Sequence, residues 1–147
     1  MRILFVCMGN ICRSPTAEAV MRRLIDDEGL DIELDSAGTG GWHLGEPPDE
    51  RATLAARRRG VTLEGAARLV RSADFRRFDL LIAMDRRNLR ELLALAPDEE
   101  AASKVRLLVP DGDVPDPYYG ADRGFETVLD MVEAACRELL DELRAKA

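Results

Sequence analysis

Cys7 and Arg13 stand close to the start of the chain, inside the run Cys7-Met8-Gly9-Asn10-Ile11-Cys12-Arg13-Ser14-Pro15. A thiol at the mouth of a loop that closes on a helix N-terminus is placed for nucleophilic chemistry. Backbone N–H groups at such a terminus point into the loop, and the helix dipole there favours negative charge. The natural occupant is an anion, most simply a phosphate. Arg13 can add a planar two-pronged contact to two of its oxygens. A positive field of this kind favours thiolate over thiol. The sulfur then lies beside the central atom of the bound anion, ready to form a covalent phosphocysteine. Ser14 can donate its hydroxyl hydrogen to that sulfur and stabilise it as a leaving group. Gly9 allows close backbone approach, and Asn10 tolerates a left-handed conformation. The spacing alone is a weak signal in a chain with 19 Arg. The context carries the reading: an apolar strand before the thiol, Gly-Asn inside the loop, and Arg-Ser-Pro opening a helix.

The elements that must hold this loop can be read on either side of it. Ile3-Leu4-Phe5-Val6 is a buried strand within residues 2–7. Ser14 is a plausible N-cap with Pro15 at the first helical position. Ala17, Val20, Met21, Leu24 and Ile25 form the apolar stripe of a helix to about Glu28, stopped by Gly29. Residues 31–37 alternate as a half-exposed strand, followed by a Gly-rich loop. Asp49 can cap a second helix to Arg59, with Gly60 as its stop. Arg57-Arg58-Arg59 reads as a solvated face. Ser72-Ala73-Asp74 can cap a short turn to Arg77. Asp79–Met84 is a second strongly apolar run, predicted to be a central strand buried on both faces. Asp85 begins a helix through Leu95, and Val105–Val109 is the last strand. Residues 110–120 are a Pro-, Gly- and Asp-rich loop, and Phe125–Leu143 carry the stripe of a long terminal helix that includes Cys136.

Strands alternating with helices predict an α/β fold with a parallel, doubly wound sheet of four strands and helices on both faces. In such sheets ligands bind outside the carboxyl ends of the strands, where the strand order reverses. The Cys7 loop lies at such an end. A length of 147 residues fits one three-layer domain spanning 1–147. A formal net charge of −7 argues against nonspecific binding to nucleic acid or anionic membranes, so the basic pocket must be local. No apolar run is long enough to span a bilayer, and the short apolar start does not match a secretory signal. Three cysteines without zinc spacing read as reduced thiols of a cytoplasmic protein. His43, the only histidine, has no ligand cluster near it in sequence and is read as structural.

Attack by Cys7 on a phosphate ester expels an alkoxide or phenoxide, which needs a proton. Loops after the carboxyl ends of parallel strands gather on one edge of the sheet. The loop after the last strand therefore supplies candidates: Asp111, Asp113 and Asp116.

The run from Val6 to Pro15 resembles the signature loop of the low-molecular-weight protein tyrosine phosphatases. Asp116-Pro117-Tyr118-Tyr119 is similar to the general-acid loop of that family. Further matches run along the chain: Asp35-Ser36-Ala37-Gly38-Thr39, Gly41-Trp42-His43, Phe78-Asp79 and Met84-Asp85-x-x-Asn88-Leu89. The resemblance implies strand order 2-1-3-4 and singles out Asp116 as general acid and base. It implies a cleft floored by Met8, Gly9, Asn10, Ile11 and Cys12, with Trp42, Tyr118 and Tyr119 as aromatic walls that suit phosphotyrosine. In relatives the pair equivalent to Cys7 and Cys12 forms a reversible protective disulfide. The expected substrate is a tyrosine-phosphorylated protein or peptide, and the product inorganic phosphate. No metal or other cofactor is called for, because Arg13 and the helix end supply the positive charge.

Three rivals are weighed. Arsenate reductase on the same fold needs further cysteines after the third strand, and residues 79–100 contain none. Protein-arginine phosphatases carry Thr where this chain has Ile11 and lack the tyrosine pair after Asp-Pro. A noncatalytic anion-binding module has no use for Cys7, Arg13 and Asp116 together.

Overall fold

The structure is a computed structural model that describes residues 1–118, 120 and 123–146. Its strands are β1 (Arg2–Cys7), β2 (Glu33–Gly38), β3 (Leu80–Ala83) and β4 (Val105–Leu107). Its helices are α1 (Arg13–Glu28), α2 (Glu50–Arg57), α3 (Asp74–Arg77), α4 (Arg86–Leu95), α5 (Glu99–Ser103) and α6 (Arg123–Lys146). The strands form one parallel sheet in the order β2-β1-β3-β4.

Alternation along β1 divides the core in two. Ile3, Phe5 and Cys7 face a layer built from α1, α2 and α6, where Met21, Ile25, Val128, Val132 and Leu140 are buried with them. Leu4 and Val6 face the other layer, with Phe75 from α3, Leu92 from α4 and Ala101 from α5. The sheet is thus covered on both faces, which its near-continuous apolar central strands require. No described helix is long and apolar enough to cross a membrane.

Several local expectations change. Helix α1 begins one residue before Ser14, and its N-cap position is Cys12, which supplies no side-chain cap. Ser14 therefore lies inside the first turn, with its hydroxyl turned toward Cys7 instead of the helix amides. The C-terminus matches expectation: Gly29 has φ 66° and its N–H bonds back to Asp26 O. A side chain there resists the left-handed conformation. Asp49 caps α2 through bonds from the amides of Arg51 and Ala52 at 2.8 and 3.2 Å. Helix α2 ends at Arg57, short of Arg59. Arg59 is not simply solvated, because it pairs with Glu126, Asp130 and Glu133 of α6 and ties the end of α2 to that helix. Helix α5 was not foreseen; with five residues capped by Asp98 it is too short to show an apolar stripe. β4 is only three residues long, half-buried at the sheet edge, and stops before Leu108.

The segment after α2 returns to the sheet edge. Gly38 donates to Arg68 O and Val70 donates to Gly38 O, both near 2.9 Å. Here Arg68 bridges Asp35 at 3.1 Å and the buried Asp74 at 3.0 Å. Burial alone pulls the Arg68 guanidinium down, but the Asp74 and Asp35 carboxylates outweigh it and hold it above its ordinary value. Asp74 also accepts from the Arg71 amide. Removing the arginine strands a carboxylate that has left water. Arg68→Met is expected to cost about 3 kcal/mol of stability, measured by urea unfolding. A loss below about 0.5 kcal/mol, the range of an ordinary surface substitution, would mean that the Arg71 amide alone satisfies Asp74.

Candidate active site

β1 ends at Cys7, and the chain must turn at once to enter α1 beneath the sheet. Asn10 makes this turn possible by adopting φ 57°. Its amide donates to Cys7 Sγ at 3.2 Å. Its side chain is buried and fully used. Nδ2 donates to Ser14 Oγ at 2.8 Å and Ser36 Oγ at 3.0 Å, and Oδ1 accepts from the Arg68 amide at 3.0 Å. Ser14 Oγ lies 3.0 Å from Cys7 Sγ. A thiolate has no hydrogen to give, so in that state the hydroxyl donates to sulfur. The loop is braced from outside as well: Thr39 donates to Cys7 O, Gly40 to Met8 O and Asp49 to Ile11 O, all within 2.9 Å. With no side chain capping α1, its first amides are left for whatever enters the loop.

Arg13 is 3% exposed, an uncommon place for a charge. Its Nη1 donates to Asp85 Oδ2 at 2.6 Å and to Val114 O at 2.9 Å, and its Nη2 lies 3.7 Å from Asp116 Oδ2. Both hydrogens of Nη1 are thereby used, which leaves the remaining donors for an anion. Burial pulls this guanidinium down, but the Cys7 sulfur and the Asp85 and Asp116 carboxylates outweigh it and hold it above its ordinary value. Asp85 has two tasks: Oδ2 holds Arg13 and Oδ1 caps α4 by accepting from the Asn88 amide at 2.7 Å. Its role toward Arg13 was missed, since a lone Asp before a helix reads as a cap and nothing in sequence links it to Arg13.

Asp116 is one of three acids in the loop after β4, and the structure separates them. Asp113 accepts from the Arg86 amide at 2.9 Å and fastens the loop to α4. Asp111 takes a left-handed turn at φ 57°. Asp116 alone of the three lines the cleft. Its Oδ1 accepts from the Tyr118 amide at 3.0 Å, which turns Oδ2 toward Arg13.

The cleft has a volume of about 490 Å³ and is lined by residues 7–13, Trp42, His43, Arg87, Asp116 and Tyr118. Trp42 is 72% exposed and folds over Gly40, where a Cβ would sit 1.9 Å from the indole. Only glycine allows that approach. Close packing at Gly9 comes from the His43 ring, which a Cβ there would meet at 3.1 Å. His43, read from sequence as structural, is in the cleft wall. Its Nδ1 is 2.7 Å from Glu46 Oε2 and its ring centroid 5.5 Å from that of Tyr118. Tyr118 is half-buried, and its carbonyl accepts from Arg51 at 2.7 Å. Tyr119, expected as a second wall, lies outside the described residues. Arg87 is a further lining residue that the sequence did not single out. Cys12 is buried at the loop's base, and burial, with Asp49, Cys7 and Asp116 nearby, pushes its thiol well up.

The geometry can be set beside known proteins. A family model described as low molecular weight phosphotyrosine protein phosphatase matches residues 2–147. A low molecular weight protein-tyrosine-phosphatase of Streptomyces coelicolor is 51% identical, covering 97% of this chain and 93% of that protein. The human low molecular weight phosphotyrosine protein phosphatase is 40% identical over 95% of this chain and 94% of its own. The crystal structure of a protein tyrosine phosphatase from Entamoeba histolytica superposes with a TM-score of 0.95 at 41% identity, covering 99% of this chain and 98% of that one. With a matching sheet order and a match along nearly the whole length, the chain belongs to the low molecular weight phosphotyrosine protein phosphatase family.

Proposed function

We propose that this protein tyrosine phosphatase hydrolyses phosphotyrosine in proteins or peptides, and small aryl phosphates, through a phosphocysteine on Cys7. The observation that carries the reading is the convergence on one sulfur. The Asn10 amide and Ser14 hydroxyl meet Cys7 Sγ, while Arg13 and Asp116 close the same cleft 3.7 Å from each other.

In the first step Cys7 attacks phosphorus as the thiolate. Arg13 and the loop amides of residues 8–13 hold the phosphoryl oxygens, which is where phosphoryl transfer gains most of its rate. The P–O bond to the tyrosyl oxygen breaks, and Asp116 gives that oxygen its proton. In the second step Asp116, now a carboxylate, takes a proton from water as the water attacks phosphorus. The S–P bond breaks, inorganic phosphate leaves, and Ser14 stabilises the departing thiolate. Trp42 and Tyr118 flank the aromatic ring of the substrate, and Tyr119 belongs with them in this reading. Ile11 and the tyrosine after Asp116-Pro117 favour phosphotyrosine over phosphoarginine. The same loop suits reversible oxidation. Peroxide converts Cys7 to its sulfenic acid, and the Cys12 thiol displaces water from it to give a disulfide.

Cys7→Ser is expected to lower turnover of p-nitrophenyl phosphate and phosphotyrosine peptides by more than about 10³-fold. Asp116→Asn is expected to lower kcat for phosphotyrosine peptides by about 10²–10⁴-fold. Its effect on p-nitrophenyl phosphate should be smaller, because that leaving group is less basic; equal losses on both substrates would remove Asp116 from the proton transfer. Alkylation gives an independent check on the nucleophile. Burial, with Glu133 nearby, pushes the Cys136 thiol up to about 12, and Cys12 is raised as well. A raised thiol stays protonated at neutral pH and reacts slowly with a reagent from solution, unlike one held beside its target within a single loop. Iodoacetate at pH 7 is therefore expected to label Cys7 alone, read by peptide mass mapping, with activity lost in step.

A further inference from the structure

One cation in the cleft is left over by the chemistry above. Arg87 lines the same cleft as Cys7, yet it is separate from the buried cradle. Its side chain is 67% exposed, and its one partner among the described residues is Glu91, a surface neighbour one turn along α4 that meets only Nε, at 3.2 Å. Neither Nη group has a hydrogen-bond partner among the described residues. The adjacent Arg86 is already committed, through Asp113 and the Asp111 carbonyl, to fastening the loop after β4. Arg13 cannot serve the rim, because Asp85 and Val114 O pin it at the bottom.

In a chain of net charge −7, Arg86, Arg87 and Arg90 bring three arginines to the start of α4, with Asp85, Glu91 and Asp113 as the acids beside them. Helix α4 has no acidic residue in its first turn, and Arg90 follows Arg87 on the same helical face. The rings of Trp42, His43 and Tyr118 line the same cleft and suit the flat ring of the substrate, and Glu46 already occupies Nδ1 of His43.

We propose that Arg87 forms a second anion subsite at the rim, which binds an Asp or Glu side chain flanking the phosphotyrosine of a protein substrate. This rests on the phosphatase reading and specifies its substrate class: phosphotyrosine within an acidic segment. Arg87 acts on selection only, since the reacting phosphoryl group is held by Arg13 and the loop amides. A solvent-exposed ion pair is worth up to about 1 kcal/mol, a factor of about five, and weakens with salt.

The test compares kcat/KM for matched phosphotyrosine peptides carrying two Asp residues before the phosphotyrosine, two after it, or Ser at all four positions. One acidic peptide is expected to exceed the Ser peptide by about three- to fivefold at low ionic strength. The advantage should shrink toward unity near 0.5 M NaCl and appear in KM more than in kcat. Arg87→Gln is expected to erase the ratio, Arg87→Lys to keep most of it, and Arg90→Gln to reduce it in part with the Ser peptide unaffected. No acidic preference in the unmodified protein, or a preference that survives Arg87→Gln, overturns the subsite while turnover of the Ser peptide leaves the phosphatase reading standing. Absence of turnover on every peptide and on p-nitrophenyl phosphate overturns both.

Discussion

A guanidinium out of water at the bottom of a cleft is the constraint on which the rest of this structure depends. Arg13 is positioned by the first turn of α1, but it persists there only because acceptors arrive from two other parts of the sheet. Asp85 comes from the end of β3, and Val114 and Asp116 from the loop after β4. A buried charge without such partners is destabilising by several kcal/mol. The same charge therefore organises the carboxyl edge of the sheet and holds the loop bearing Asp116 over the cleft. The guanidinium that needs Asp85 also faces the cleft, through the donors that Asp85 and Val114 leave open.

The sulfur is held by a different principle, saturation of hydrogen bonds around a single left-handed residue. Asn10 links the loop to Ser14 on α1, Ser36 on β2 and the Arg68 backbone at the sheet edge. A polar network buried this deeply is stabilising only when every member is satisfied. Each of these side chains is small and short of rotameric freedom, so the cradle is ordered before substrate arrives. Preorganised donors of this kind favour the transition state without a reorganisation cost at the moment of reaction. The walls are looser by comparison. Trp42 is largely exposed, and Arg87 projects from a surface helix. The cleft thus grades from a fixed floor around Cys7 to an open mouth lined by exposed side chains.

Much of this was legible in the residues. The apolar runs at Ile3–Val6 and Leu80–Ala83, the Gly29 stop and the Asp49 cap each state a local preference that the fold obeys. The placement of the Cys7 loop at a carboxyl end followed from strand and helix alternation alone. Where local preference misled, a nearby tertiary demand had overruled it. Ser14 has the chemistry of an N-cap, yet its hydroxyl is turned to the sulfur, and α1 starts two residues early without a side-chain cap. His43 pairs with nearby Glu46, but its place in the cleft wall depends on Gly9 and Tyr118, which come from distant loops.

The sequence by itself determined the elements and the reactive loop, because strand alternation, helix stripes and the Cys7–Arg13 spacing are short-range properties of a chain. The resemblance had named Asp116, but what only the tertiary structure decided is how the three acids of the loop after β4 are used, with Asp116 lining the cleft beside Arg13. Asp111, Asp113 and Asp116 are alike in local chemistry, and their roles part only when one meets Arg86, one turns and one meets Arg13. The same holds for Asp85 and Arg87, whose significance lies in what they stand opposite. Charge interactions act through space, and their partners are set by how the sheet brings its loops together rather than by distance along the chain.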